Sequence, residues 1–203
     1  MLYDRRRNEI GTLPERVLLG IFIGNPSILA HSEGYTGFGG IPGFIQIVIA
    51  PNERNLPKLS ACIAHEFQHN VLFHNARWNF VEVSLAQYLA VEGLAESFAT
   101  SLYGEAALGP WVTGVRGSDL ERTRRIIANS LDVRGFMEAR KYVFGDHPLM
   151  PESEPVGVPY CGGYAAGYWA VQAFLKKTGM SVEEATLLDG EHIMRESGYF
   201  DVS

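Results

Sequence analysis

The sequence predicts an α+β domain in which a small N-terminal sheet packs on a mainly helical body. Three observations carry that expectation. Two short segments rich in branched residues, 16–23 and 44–50, come first and read as strands. From about residue 56 the apolar period turns helical and stays helical. The chain has 203 residues, 46% apolar and 20% charged, which suits one globular unit with a real core. Strands first and helices afterwards is the order of an α+β domain. Residues 1–203 therefore read as a single domain, with 1–15 as a loose N-terminal extension.

Taken in order, residues 16–23 (Arg-Val-Leu-Leu-Gly-Ile-Phe-Ile) read as a buried strand. A glycine-rich passage covers 34–43, and Phe44-Ile-Gln-Ile-Val-Ile-Ala50 forms a second strong strand that Pro51 ends. Leu59, Ile63, Phe67 and Val71 recur every fourth residue and predict one apolar stripe on a helix over about 56–77. A second helix is expected over 83–103, carrying Leu85, Leu89, Leu94, Phe98 and Leu102, and stopped by Gly104 and Gly109-Pro110. Ser118-Asp-Leu-Glu121 has the form of a capping box and opens a third helix through about 130. A polar, proline-rich loop over 146–159 leads to a helix over 163–177. Ser181-Val-Glu-Glu184 caps a short last one.

Composition narrows the function classes. The formal net charge of −6 argues against nucleic acid, which selects basic faces. The basic clusters at Arg5-Arg6-Arg7 and at Arg122, Arg124 and Arg125 read as solvated faces. Two cysteines, Cys62 and Cys161, suit a reducing compartment. Cys62 sits in an apolar helical stretch as a small core residue, Cys161 in a Tyr-Cys-Gly-Gly segment that can be exposed, and neither is assigned a catalytic role. No apolar run reaches the ~20 residues of a membrane span, and the N-terminus lacks the pattern of a secretory signal. The expected location is the cytoplasm, with neither membrane nor nucleic acid as partner.

The chemistry-bearing motif is His65-Glu66-Phe67-Gln68-His69, a His-Glu-x-x-His segment within a predicted helix. Residues four apart share a helix face, with Cβ atoms about 5–6 Å from each other. Two imidazoles so spaced can converge on one zinc ion. Glu66 directly follows the first histidine and can lean toward a zinc-bound water without ligating the ion, which is the position of a general base.

A third ligand decides the strength of this reading, and three candidates arise. His74 lies five residues beyond His69. The metzincin pattern needs a histidine at the position of Asn75 and a glycine at that of Leu72, so that pattern fails and His74 reads as structural or surface. Glu92 lies in Val91-Glu-Gly-Leu-Ala-Glu96 on the next predicted helix, among Leu89, Ala90, Leu94 and Ala95. A carboxylate there is costly unless neutralised, and a zinc ion neutralises it. It would complete a His₂Glu set with an open fourth position. Glu96, one turn on, can accept the free ring N–H of a ligand histidine. Gly93 removes a side chain where two helices can approach closely. The third set, His31, His147 and His192, is distant in sequence, and each of its members reads as a non-ligand.

His-Glu-x-x-His followed by Glu-Gly-Leu-Ala-Glu resembles the gluzincin metallopeptidases. With the glycine-rich turn before the helix, Gly162-Gly-Tyr-Ala-Ala-Gly-Tyr168 and the closing Ser197-Gly-Tyr199, the chain resembles the YjaZ-like family of bacterial predicted zinc-dependent proteases. That resemblance covers most of the chain after about Val17. It implies a zincin-like fold, one zinc ion on His65, His69 and Glu92, Glu66 as general base, and Glu96 in support of a ligand.

Peptide hydrolysis also needs a group that stabilises the oxyanion. Tyr160, Tyr164 and Tyr168 are candidates, and Tyr164, beside Gly162-Gly163 near a helix start, is favoured. The strand over 44–50 is expected to offer a free edge to an extended peptide or protein substrate. Glycines 37, 39, 40 and 43 would let its backbone come close, unless they simply form a mobile hairpin turn. The expected activity is that of a zinc metallopeptidase. Two other readings stay open: a non-catalytic, zinc-stabilised interaction module, and a zinc hydrolase of a non-peptide amide or ester.

Overall fold

The computed structural model describes residues 12–76, 78–146 and 154–201. Among them are three strands and eight α-helices: β1 (Leu18–Ile23), β2 (Tyr35–Ile41), β3 (Phe44–Ile49), α1 (Leu59–Asn75), α2 (Leu85–Tyr103), α3 (Pro110–Thr113), α4 (Gly117–Ala128), α5 (Phe136–Phe144), α6 (Gly162–Thr178), α7 (Val182–Thr186) and α8 (Gly190–Glu196). This is the expected small sheet on a helical body. No described helix is long and apolar enough to cross a membrane.

The sheet order is β1-β3-β2, with β1 parallel and β2 antiparallel to β3. Alternation along β3 sends Ile45, Ile47 and Ile49 inward, where they meet Tyr35, Cys62 and the Leu59, Ile63 and Phe67 stripe of α1. Three expectations about the sheet are corrected here. The glycine-rich passage is not merely a turn, because residues 35–41 form β2, and Pro42-Gly43 makes the turn into β3 with Gly43 at φ +85°. The strand over 44–50 has no free edge, since β3 is central, and the edges belong to β1 and β2. β1 is not buried. Leu18, Phe22 and Ile23 are all more than half exposed, because the strand lies at the sheet edge.

Asn70, fully buried on α1, anchors the hairpin to the helix. Its amide donates to the carbonyls of Gly39 (2.7 Å) and Phe44 (3.0 Å), and its carbonyl accepts from the Gly43 N–H (2.7 Å). The backbones then approach so closely that a Cβ on Gly39 would lie 2.1 Å from the Glu66 carbonyl oxygen. These glycines thus make room for the protein's own helix.

α2 is the central helix, packed by α1, α5, α6, α7 and α8. Its Leu85, Leu89 and Leu94 are buried in one cluster with Ile127, Val171, Phe174 and Ile193. It crosses α6 at Gly93 and Gly167, where a Cβ on Gly93 would stand 2.3 Å from the Gly167 carbonyl oxygen. α2 starts at a capping box of Ser84 and Gln87, whose Ser-x-x-Gln spacing is present in the sequence. The Ser181–Glu184 box forms as expected. The one at Ser118 does not, because α4 begins two residues earlier than that cap implies, with Arg116 at its N-cap and no side-chain cap. α3, α5 and α8 have no separate place in the sequence reading. They are short, and tertiary packing stabilises them more than local pattern. Residues 1–11 of the N-terminal segment lie outside the described residues, while Thr12 exchanges two backbone–side-chain hydrogen bonds with Asn75 of α1.

Candidate metal centre

Two helices meet side by side, each presenting a pair of chemical groups one turn apart. α1 contributes His65 and His69, and α2 contributes Glu92 and Glu96. All four are buried, at 7% exposure or less. The ligand-type atoms of His65, His69 and Glu92 lie within 4.8 Å of one another, and among the described residues theirs is the cluster that can hold a metal ion. Both histidine Nε2 atoms stand 3.4 Å from Glu92 Oε2. Four tetrahedral ligands about 2.0–2.1 Å from one zinc ion are themselves roughly 3.3 Å apart. The donor set, its spacing and its burial therefore fit a zinc ion. A buried carboxylate beside two imidazoles also requires a neutralising cation or protons.

The charges respond accordingly. Burial pushes the Glu92 carboxyl up, but the His69 charge and hydrogen bonds from both histidines outweigh it and pull it down to about 2. Burial alone would lower His65, yet its contacts with Glu92 and Glu96 raise it well above its ordinary value. Glu66 is raised, chiefly by burial, with the two histidine charges opposing. Its Oε1 faces β2, where a Cβ on Gly37 would lie 2.3 Å away.

Glu96 accepts three hydrogen bonds. His65 Nδ1 lies 2.9 Å from its Oε2, the Trp111 indole N–H donates to the same oxygen at 2.8 Å, and the Gly109 N–H donates to Oε1 at 2.6 Å. Sequence reasoning missed Trp111 and treated Gly109 only as a helix stop, since nothing local links a turn after α2 to a carboxylate within it. His69 Nδ1, by contrast, is buried with no hydrogen-bond partner among the described residues.

Of the three tyrosines, Tyr164 lies on α6, partly buried against the core around α2. Its hydroxyl is raised by burial first and then by the charge of Glu92, with Glu66 adding to it. Tyr168 is buried with Leu108, Val112 and Val115 on another side of α6, and Tyr160 stands against His31. Tyr88, one turn before Glu92, also feels the Glu92 charge and was not singled out in the sequence. The remaining described histidines do not join the cluster. His74 is exposed in the last turn of α1, His31 lies in a short 3₁₀ turn, and His192 packs on Phe174. His147 is outside the described residues. Cys161, read as open to exposure, is buried at the N-cap of α6.

Comparison with known proteins agrees with this centre. The family described as "Predicted Zn-dependent protease (DUF2268)" matches residues 6–195. A relative from Bacillus subtilis (strain 168), the uncharacterized protein YjfC, is 42% identical over 201 residues, spanning 98% of this chain and 67% of the relative. No solved structure matches. A family match over nearly the whole length, joined to a relative of this identity, shows that the chain belongs to the family of predicted Zn-dependent proteases.

Proposed function

We propose that this protein is a zinc-dependent hydrolase that cleaves peptide bonds, with His65, His69 and Glu92 holding one zinc ion and Glu66 as general base. The observation that carries the reading is the convergence of two imidazoles and a carboxylate, with a second carboxylate, Glu66, next in sequence to one ligand. Bound zinc would lower the pKa of a water toward ~7 and polarise a substrate carbonyl.

The rest falls to the chain's own side chains. Glu66, raised by its burial, takes a proton from the attacking water and returns it to the departing amine. Tyr164 donates its hydroxyl to the oxyanion, and its raised pKa keeps that proton in place. Glu96 holds the His65 ring through Nδ1. In this reading β2, not β3, receives the substrate. It is a sheet edge, and it passes Glu66 at two glycines, so an extended peptide paired to it would bring its carbonyl near the base.

Glu66→Gln tests this reading, because it spares all three ligands. Zinc content by elemental analysis should stay at one ion per chain, while hydrolysis of quenched peptides falls by roughly 10²–10⁴-fold. A zinc-loaded wild type that cleaves no peptide library but hydrolyses simple amides or esters would point to a non-peptide substrate. A variant that keeps every measurable function would favour the non-catalytic module.

A further inference from the structure

We propose that the turn over 109–111 is a positioning clasp for the metal centre, in which the Gly109 N–H and the Trp111 indole hold Glu96 so that Glu96 holds His65. The inference rests on the zinc reading above and adds residues to it.

Three features of the turn support a dedicated role. First, its two groups can act only as donors, since a backbone N–H and an indole N–H have no acceptor capacity. They occupy both oxygens of Glu96 at 2.6 and 2.8 Å. A carboxylate so engaged serves as acceptor toward His65 Nδ1, which places the shared hydrogen on Nδ1. The Nε2 lone pair is then free to face Glu92 and the ion. Second, the indole also packs edge-on to the His65 ring itself, with centroids 5.6 Å apart, and to Tyr35 of β2 at the same distance. One side chain therefore touches the ligand, its carboxylate partner and the sheet edge. Third, the turn is shaped for this fold-back. A Cβ on Gly109 would lie 2.2 Å from the Trp111 ring, so only glycine lets the indole close over its own turn. Tyr35, Cys62, Ala99 and Trp111 line the space around Glu96.

Among the described residues, none holds His69 Nδ1 in this way.

The test compares zinc affinity, by chelator competition, in wild type, Trp111→Phe and the control Trp169→Phe. Trp111→Phe keeps an aromatic ring but deletes the donor. Zinc binding should weaken by roughly 10–100-fold, the range for loss of a group that orients a ligand. Trp169→Phe should match wild type. The Nδ1–H of His65 in the zinc-loaded protein should exchange slowly with solvent in wild type and faster in Trp111→Phe, while core amide protection stays unchanged, a split that general destabilisation would not produce. Wild type that binds zinc alongside a folded Trp111→Phe with affinity within about twofold overturns the clasp and leaves the zinc reading intact. Wild type that binds no zinc overturns both. If Trp111→Phe does not fold, exchange of the Trp111 indole proton in wild type decides. Strong protection supports the clasp, and exchange at the rate of a free indole overturns it.

Discussion

Replacing Gly93 by alanine sets two known effects against each other at the α2–α6 crossing. Helix propensity favours alanine over an interior glycine by about 1 kcal/mol. Packing opposes it. The new Cβ would lie 2.3 Å from the Gly167 carbonyl oxygen, 2.6 Å from its carbonyl carbon and 2.8 Å from Val171 Cγ2. An ordinary carbon–oxygen contact is about 3.3–3.6 Å, so the helices must part by roughly 1 Å. Two of the three obstructing atoms are backbone, which cannot rotate aside, and overpacking of this kind costs about 1–3 kcal/mol. The parting also loosens Leu89, Val171 and Phe174, all buried at this seam. Packing should therefore win, by up to about 2 kcal/mol, which for a chain of this size lowers Tm by up to roughly 8 °C. The effect on function is selective. His65, His69 and Glu92 lie on α1 and α2, so zinc affinity should hold, whereas Tyr164 rides on α6 and should shift, reducing kcat. Thermal unfolding, zinc titration and peptide hydrolysis on the same preparation read all three. A Gly93→Ala protein at or above the wild-type Tm would refute the close-crossing argument.

Two further outcomes are expected. Tyr164→Phe should leave zinc binding unchanged and lower kcat by about 10²–10³-fold with little change in KM, as loss of an oxyanion donor does; unchanged kcat would return the tyrosine to simple packing. Cys62 and Cys161 should resist thiol reagents in the native protein. Both are buried, and burial pushes Cys161 up to about 12, so at pH 8 the thiolate is roughly one part in ten thousand. Labelling should accelerate as pH rises toward 12 and become complete for both thiols on denaturation, and fast modification of either one at pH 8 would contradict this burial.

Much of this protein is written locally in its chain. Four-residue spacing brings His65 and His69 to one helix face and Glu92 and Glu96 to another, because helix geometry is a property of consecutive residues. The apolar stripe of α1, the period of α2 and the alternation of β3 follow from the same kind of short-range rule. An acidic residue among Leu89, Val91 and Leu94 likewise announces that something must neutralise it. What the chain does not state locally is which elements become neighbours. The order β1-β3-β2 makes β3 central and leaves β1 exposed, although both strands carry similar apolar runs. Only that order puts Gly37 and Gly39 of β2 against Glu66, with Asn70 holding the hairpin in place. The Glu96, Gly109 and Trp111 contacts arise because the turn after α2 folds back along its own helix, a path that no spacing rule specifies. Periodicity decides which face a residue occupies, since covalent geometry repeats along the chain. Packing decides what that face meets, since contacts between distant segments depend on the shape and volume of the whole core.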